Sequence, residues 1–146
     1  MKIKHILLCG GSIVAACSNP QKDQAVKLEK EVMMIHDAVM PKMGELISLE
    51  SAISKRIAQF DSLSKSNPAD TAIQSSLHRA FYLSRQLKKA DDGMMGWMHR
   101  YKGDSLKKLA PEDATKALTH EKIKIEQVSD DMLKSIEDAQ KFLKQQ

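Results

Sequence analysis

From Ala25 to Phe142 the apolar side chains return every third or fourth residue, and that period restricts the chain to helices. The first run is Leu28, Val32, Ile35, Val39, Met43, Leu46, Ile53, Ile57, Phe60 and Leu63, with Leu49 or Glu50 bridging its one longer gap. The second is Ile73, Leu77, Ala80, Leu87, Met94, Met98 and Tyr101, interrupted by Ser84 and Asp91. The third is Ala114, Leu118, Ile125, Val128, Met132, Ile136, Ala139 and Phe142. Such steps line up on one face of a 3.6-residue helix, and no two-residue alternation competes with them. Aromatic residues make up only 4% of the chain, which argues further against a β-sandwich or barrel.

The breaks between runs carry start and stop signals. The first helix is expected to end near Ser66, with Asn67 as the next N-cap, Pro68 in the first helical position and Asp70 in the first turn. Residues 103–110 read as a linker. Pro111, Glu112 and Asp113 open a third helix, with proline first and acids in the positive first turn. Short connections make consecutive helices antiparallel neighbours. The prediction is a single all-α domain over 24–146, an up-down-up antiparallel bundle of three long helices. The first helix, about 40 residues or 60 Å long, is kinked at Pro41. The charged residues Lys27, Glu31, Lys42, Glu45, Lys55, Lys88, Lys89, Asp130, Asp131 and Lys134 fall mostly off the stripes and read as a solvated face.

The N-terminus reads as an address. Lys2 and Lys4 precede an apolar run from Ile6 to Ala16, whose roughly 16 Å of helix is too short to cross a membrane. A basic start, a short apolar run and small residues at its end make a secretory signal over 1–16. The run closes Val14-Ala15-Ala16-Cys17, which resembles the lipobox of bacterial lipoproteins, with Val14 where leucine is commoner. The resemblance implies cleavage before Cys17, a thioether-linked diacylglycerol on its sulfur and an amide-linked acyl chain such as palmitate on its nitrogen. Two acyl chains already anchor a protein stably. Residues 17–23 are then the lipidated cysteine and a polar tether. Ser18 in place of aspartate favours the outer over the inner membrane, by the sorting rule of some Gram-negative lipoproteins.

Cleavage changes the arithmetic. Lys2 and Lys4 leave the count, so 21 basic residues face 19 acidic ones and the net charge falls from +4 to +2. The basic pI is then no argument for nucleic acid. Cys9 leaves as well, so an acylated Cys17 is the only cysteine and helix packing has to hold the fold without a disulfide.

Seven of the nine methionines lie in two clusters, Met33-Met34-Ile35-His36-Asp37-Ala38-Val39-Met40-Pro41-Lys42-Met43 and Gly93-Met94-Met95-Gly96-Trp97-Met98-His99. Spacings of three and four bring His36 beside Met40, Met94 beside Met98 and Met95 beside His99 along their helices. Counting from a turn centred near residue 67 sets His36 level with His99, and Met40 level with Met94 and Met95. A second turn near 106 sets His120 level with Gly93. Pro41, Gly93 and Gly96 are unfavourable inside helices and fall in the same zone. Such departures tend to sit at functional sites, although a bend in helix one and room for the Trp97 ring would also account for them. Thioether and imidazole suit Cu(I), and a haem iron is a further version. The candidate ligands are His36, Met40, Met94, Met95, Met98 and His99, with His120 a weaker one. The other role for such methionines is adaptable core filler, and His78, Phe81 and Tyr82 read as surface and packing residues.

No nucleophile–base arrangement can be assembled from the sequence. There is no Gly-x-Ser-x-Gly, no phosphate-binding glycine loop and no His-Glu-x-x-His. Asp91-Asp92 and Asp130-Asp131 point about 100° apart on a helix and form no dyad. The segments His36-Asp37-Ala38-Val39-Met40-Pro41-Lys42-Met43 and Met94-Met95-Gly96-Trp97-Met98-His99, with the lipobox, resemble a group of small, uncharacterised bacterial helical lipoproteins. Some of these are labelled viral A-type inclusion protein, a label that reflects coiled-coil likeness. The resemblance implies no established activity. The sequence therefore points to a lipid-anchored envelope protein that is not an enzyme. It would bind or support another envelope component, or associate with itself, and soft-metal binding is the alternative.

Overall fold

A computed structural model of the protein describes residues 19–145. The expected signal over 1–16 and the expected lipid attachment at Cys17 lie outside the described residues. Those residues are all-α and contain no strand. The elements are α1 (Pro20–Val39), a 3-10 turn (Met40–Lys42), α2 (Met43–Ser66), α3 (Thr71–Arg100), α4 (Gly103–Leu106) and α5 (Pro111–Lys144). Among the described residues no helix is long and apolar enough to cross a membrane.

The helix starts are chemical. Asn19 caps α1, its side-chain oxygen accepting from the Gln21 amide at 3.1 Å, and Pro20 takes the first helical position. Helix therefore begins at Pro20, and the stretch expected to be tether as far as Asp23 contributes a turn of α1. The Asn67–Asp70 connection also differs from expectation. The Asn67 amide donates to the Leu63 carbonyl at 2.9 Å, so this residue closes α2 instead of opening α3. The cap of α3 is Asp70, whose Oδ1 accepts from the amides of Ala72 at 2.9 Å and Ile73 at 3.1 Å. A cap of this kind is worth about 1 kcal/mol. Pro111 begins α5 as predicted, with Glu112 and Asp113 in its first turn. The expected linker over 103–110 holds a short helix, α4, whose Leu106 packs beside Leu118 and Leu28.

Pro41 divides the first long helix. It lacks an amide hydrogen, so the Asp37 carbonyl loses its partner and the chain tightens into a 3-10 turn before α2 resumes. The interruption coincides with a change of neighbour, since α1 packs chiefly on α5 and α2 chiefly on α3. Thr115 Oγ1 lies 3.3 Å from the Gln21 carbonyl and Lys122 Nζ donates to Glu31 Oε2, so α5 runs parallel to α1. Lys89 meets Asp131 and Trp97 meets Glu121, so α5 runs antiparallel to α3.

Val32, Leu46, Ile53, Leu83, Leu87, Met94, Ile125 and Met132 are the largest fully buried side chains. The stripes on α1, α2 and α5 coincide with the predicted ones except at Leu63, which is exposed, and Ser135, which is buried and donates to the Met132 carbonyl at 2.8 Å. On α3 the buried line is Leu77, Ala80, Leu83, Leu87, Ala90, Met94 and Trp97. Leu83, Ala90 and Trp97 replace the positions assigned to Ser84, Asp91 and Met98. The helix thus keeps an unbroken apolar seam and turns both polar residues toward its flank.

Candidate functional site

The zone marked by the two methionine clusters is built around three rings. His36 sits in the last turn of α1, its side chain mostly covered, with Nδ1 2.9 Å from Asp37 Oδ1. Its ring lies 5.5 Å from the indole of Trp97, tilted by 33°. Trp97 is only 3% exposed. Its face stacks on Tyr101 at 4.8 Å, and its Nε1 donates to Glu121 Oε2 on α5 at 3.1 Å. The Tyr101 hydroxyl is buried and meets no hydrogen-bond partner among the described residues. Burial, reinforced by the carboxylates of Glu29 and Glu121, holds the Tyr101 phenol above its ordinary value, so it stays neutral. A β-carbon at Gly103 would stand 3.2 Å from Tyr101 Cε1 and 3.5 Å from Glu29 Oε1, so the chain passes this cluster where only glycine fits without a shift.

The predicted ligand set divides here. Met94 is wholly buried, and Met40, Met43 and Met98 pack at the margin of the core. Met95 is 53% exposed, and His99 and His120 are on the surface. The structure therefore brings His36 to Trp97, which stacks on Tyr101, but leaves Met95 and His99 exposed on α3. Among the described residues no three His, Cys, Asp or Glu side chains gather closely enough to hold a metal ion. Gly93 does not make room for the indole. A β-carbon on Gly93 would touch Val128 at an ordinary 3.8 Å, and one on Gly96 would meet the Arg100 guanidinium at 3.1 Å.

Several charges expected to be merely solvated join the helices. Lys122 Nζ lies 2.6 Å from Glu31 Oε2, and Lys89 Nζ lies 2.9 Å from Asp131 Oδ2. Glu45 accepts from Gln140 on α5. The hydrogen bond from Lys122 holds the Glu31 carboxyl below its usual range. These pairs are open to water, so they set register more than stability.

A further feature had no signal in the periodicity. Where the starts of α1 and α5 meet the α4 segment, a mainly apolar cleft opens between Ala25, Val26, Leu106, Leu109, Ala114 and Leu118, with Lys22, Glu29 and Lys107 also in its lining. Comparison with family models, with curated proteins and with solved structures finds no match to this chain. Its function has to be argued from its own residues.

Proposed function

We propose that this protein is a lipid-anchored, non-enzymatic binding module of a bacterial cell envelope, held by lipid on Cys17 and favouring the outer membrane. The observation that carries the reading is Val14-Ala15-Ala16-Cys17 at the end of a short basic-apolar leader. The capped start of α1 at Asn19 supports it, because a helical body begins three residues after the cysteine, at Pro20. In this reading α1 and α2 form one rod bent at Pro41, α3 and α5 are the other two, and the whole is an up-down-up bundle. Its outer surface carries Met34, Ile47, Met95 and Ile123 as exposed apolar contacts for another envelope component or a second copy. The small net charge of the mature chain gives no basis for a nucleic-acid partner.

Replacing Cys17 with serine and fractionating the cells tests the anchor. The expected result is transfer of the protein from the membrane pellet to the soluble fraction. Retention of the variant in the pellet, as for the parent, would overturn the reading. Crosslinking in intact cells tests the module, with a discrete heteromeric or dimeric adduct expected. Recovery of monomer alone, under conditions that trap other envelope complexes, would count against it.

Soft-metal binding is the second reading, supported by a smaller set than the sequence offered. His36, Met40 and Met98 are each partly covered, His36 beside Trp97 and the two methionines against the core that holds buried Met94. Cu(I) suits thioether and imidazole ligands, whereas haem would need a cavity between helices that these side chains occupy. Titration with Cu(I) against a competing chelator, repeated with His36→Ala and Met98→Leu, decides it. One-to-one binding lost in both variants is the expected signature. Binding absent, or indifferent to both changes, returns these residues to packing.

A further inference from the structure

The cleft at the start of α1 has a volume of about 360 Å³. It exists because small residues stand where large ones would close it. Ala25 and Ala114 face each other beside Leu28 and Leu118 in a minor cluster separate from the main core. Two of its wall residues remain largely uncovered, Val26 at 47% and Leu109 at 43% exposure. Three of the lining residues are charged, Lys22, Glu29 and Lys107, and Lys107 Nζ is paired with Glu29 Oε1 at 3.0 Å. The rest of the lining is apolar and suits a flexible hydrocarbon, at a size near the lower end of ligand pockets.

We propose that this cleft seats one acyl chain carried by the protein's own Cys17. The inference rests on the lipoprotein reading above and adds a destination for part of the lipid. Reach supports it. Only Ser18 separates Cys17 from the Asn19 cap, and the two steps span at most about 7 Å. The cleft lies level with Ala25, about 9 Å along α1 from that cap. An acyl chain spans about half of a bilayer core, roughly 15 Å, so it can enter without any movement of the helix. The number of chains supports it too. A lipobox implies three acyl chains, and two are enough for a stable anchor, so the amide-linked one can leave the bilayer without releasing the protein. Its transfer is from one apolar medium to another, while Val26 and Leu109 lose their contact with water. Tethering raises the local concentration of the tail to about the millimolar range or above. The consequence is orientation. A bundle that holds one of its own tails keeps the α4 end close to the lipid surface instead of swinging on a free tether.

The test uses the full chain made in cells fed a fatty acid carrying a photoreactive diazirine. The purified protein is returned to phospholipid vesicles and irradiated, and the adducts are mapped by peptide mass spectrometry. The expected result is an acylated Cys17 with crosslinks to Val26, Leu109 or Leu118. Those crosslinks should be lost in Ala114→Phe, which fills the cleft. They should also be lost in Val26→Glu, which puts a carboxylate on an exposed wall position and keeps the proposal testable if the first variant fails to fold. An unmodified Cys17 would overturn the anchor reading, and this inference with it. An acylated Cys17 whose adducts fall only on vesicle lipid, or persist in both variants, would overturn the inference and leave the anchor standing. Equal labelling of Cys17→Ser by the free diazirine fatty acid would assign the cleft to untethered lipid and would likewise overturn it.

Discussion

Replacing Trp97 with alanine is expected to cost about 3–5 kcal/mol of stability and to lower Tm by roughly 10–20 °C. Trp97 is the chain's only tryptophan, and it joins three helices. It stacks on Tyr101 of its own helix end, lies against His36 of α1, and donates to Glu121 of α5. Truncation removes the ring from all three contacts, leaves a cavity between them, and takes the indole donor from Glu121. Trp97→Phe separates these effects. It retains an aromatic ring against Tyr101 but not the hydrogen bond, so its loss should fall between parent and alanine. Thermal and denaturant melts followed by far-UV circular dichroism measure both. A loss below about 1 kcal/mol for the alanine variant would show that the ring contributes little beyond what an exposed surface residue does.

The same residue shows how far the sequence could be read. Spacing alone runs the α3 stripe through Met94, Met98 and Tyr101, whereas the buried side chains are Met94 and Trp97. Both choices satisfy helical spacing, since three and four residues are equally good steps on a period of 3.6. Packing decided between them. Ser84 and Asp91 break the four-residue path, while Leu83, Ala90 and Trp97 leave an apolar line from Leu77 onward. Counting from the turn set His36 level with His99, and the structure places His36 beside Trp97, two residues away. Height was thus legible to within a turn. Facing was not, because each residue turns the side chain by about 100°, which carries Met95 and His99 away from Met94 and Trp97 onto solvent.

The dipeptide Asn-Pro makes a similar point about boundaries. It occurs at Asn19-Pro20 and again at Asn67-Pro68. At the first it opens α1 by the usual capping rule, within the stretch expected to be tether. At the second, Asn67 is the last residue bonded into α2, and the helix restarts only after Asp70 supplies a stronger cap. A capping residue accepts amides ahead of it or closes carbonyls behind it, and the sequence alone does not say which. The break at Pro41 was legible because proline removes a donor wherever it stands inside a helix. The cleft was not, because it arises from two alanines brought together by α1 and α5 from positions 25 and 114.

Glu50 supplies the second large effect, this time a gain. It stands on α2 at the helix-one gap, facing α3, where Lys88, Asp91 and Asp92 are its charged neighbours. Its Oε1 is buried and accepts no hydrogen bond among the described residues. Burial raises its pKa above 4.5, the Asp91 and Asp92 charges raise it further, and Lys88, itself hydrogen-bonded to Asp92, opposes them. A carboxyl whose folded-state pKa is raised favours folding when protonated, and that contribution is lost as pH rises through the folded pKa. At neutral pH the native state therefore carries a half-buried carboxylate beside another acid. Glu50→Gln removes the charge at nearly constant shape and adds an amide donor that can face Asp91. The expected gain at neutral pH is about 1 kcal/mol, the low end for an unsatisfied buried group because the residue is only partly covered. It should shrink as pH falls toward 4.5, where the parent glutamate takes up its proton and becomes a near-equivalent of glutamine. Asp91→Asn should stabilise at neutral pH in the same direction, through the removal of a like charge. Denaturant titrations of parent and variants across this pH range give the result directly. A Glu50→Gln variant no more stable than the parent at neutral pH, or one with the same gain at every pH, would mean that Glu50 finds a compensating partner on α3 and that its charge is not what strains the α2–α3 seam.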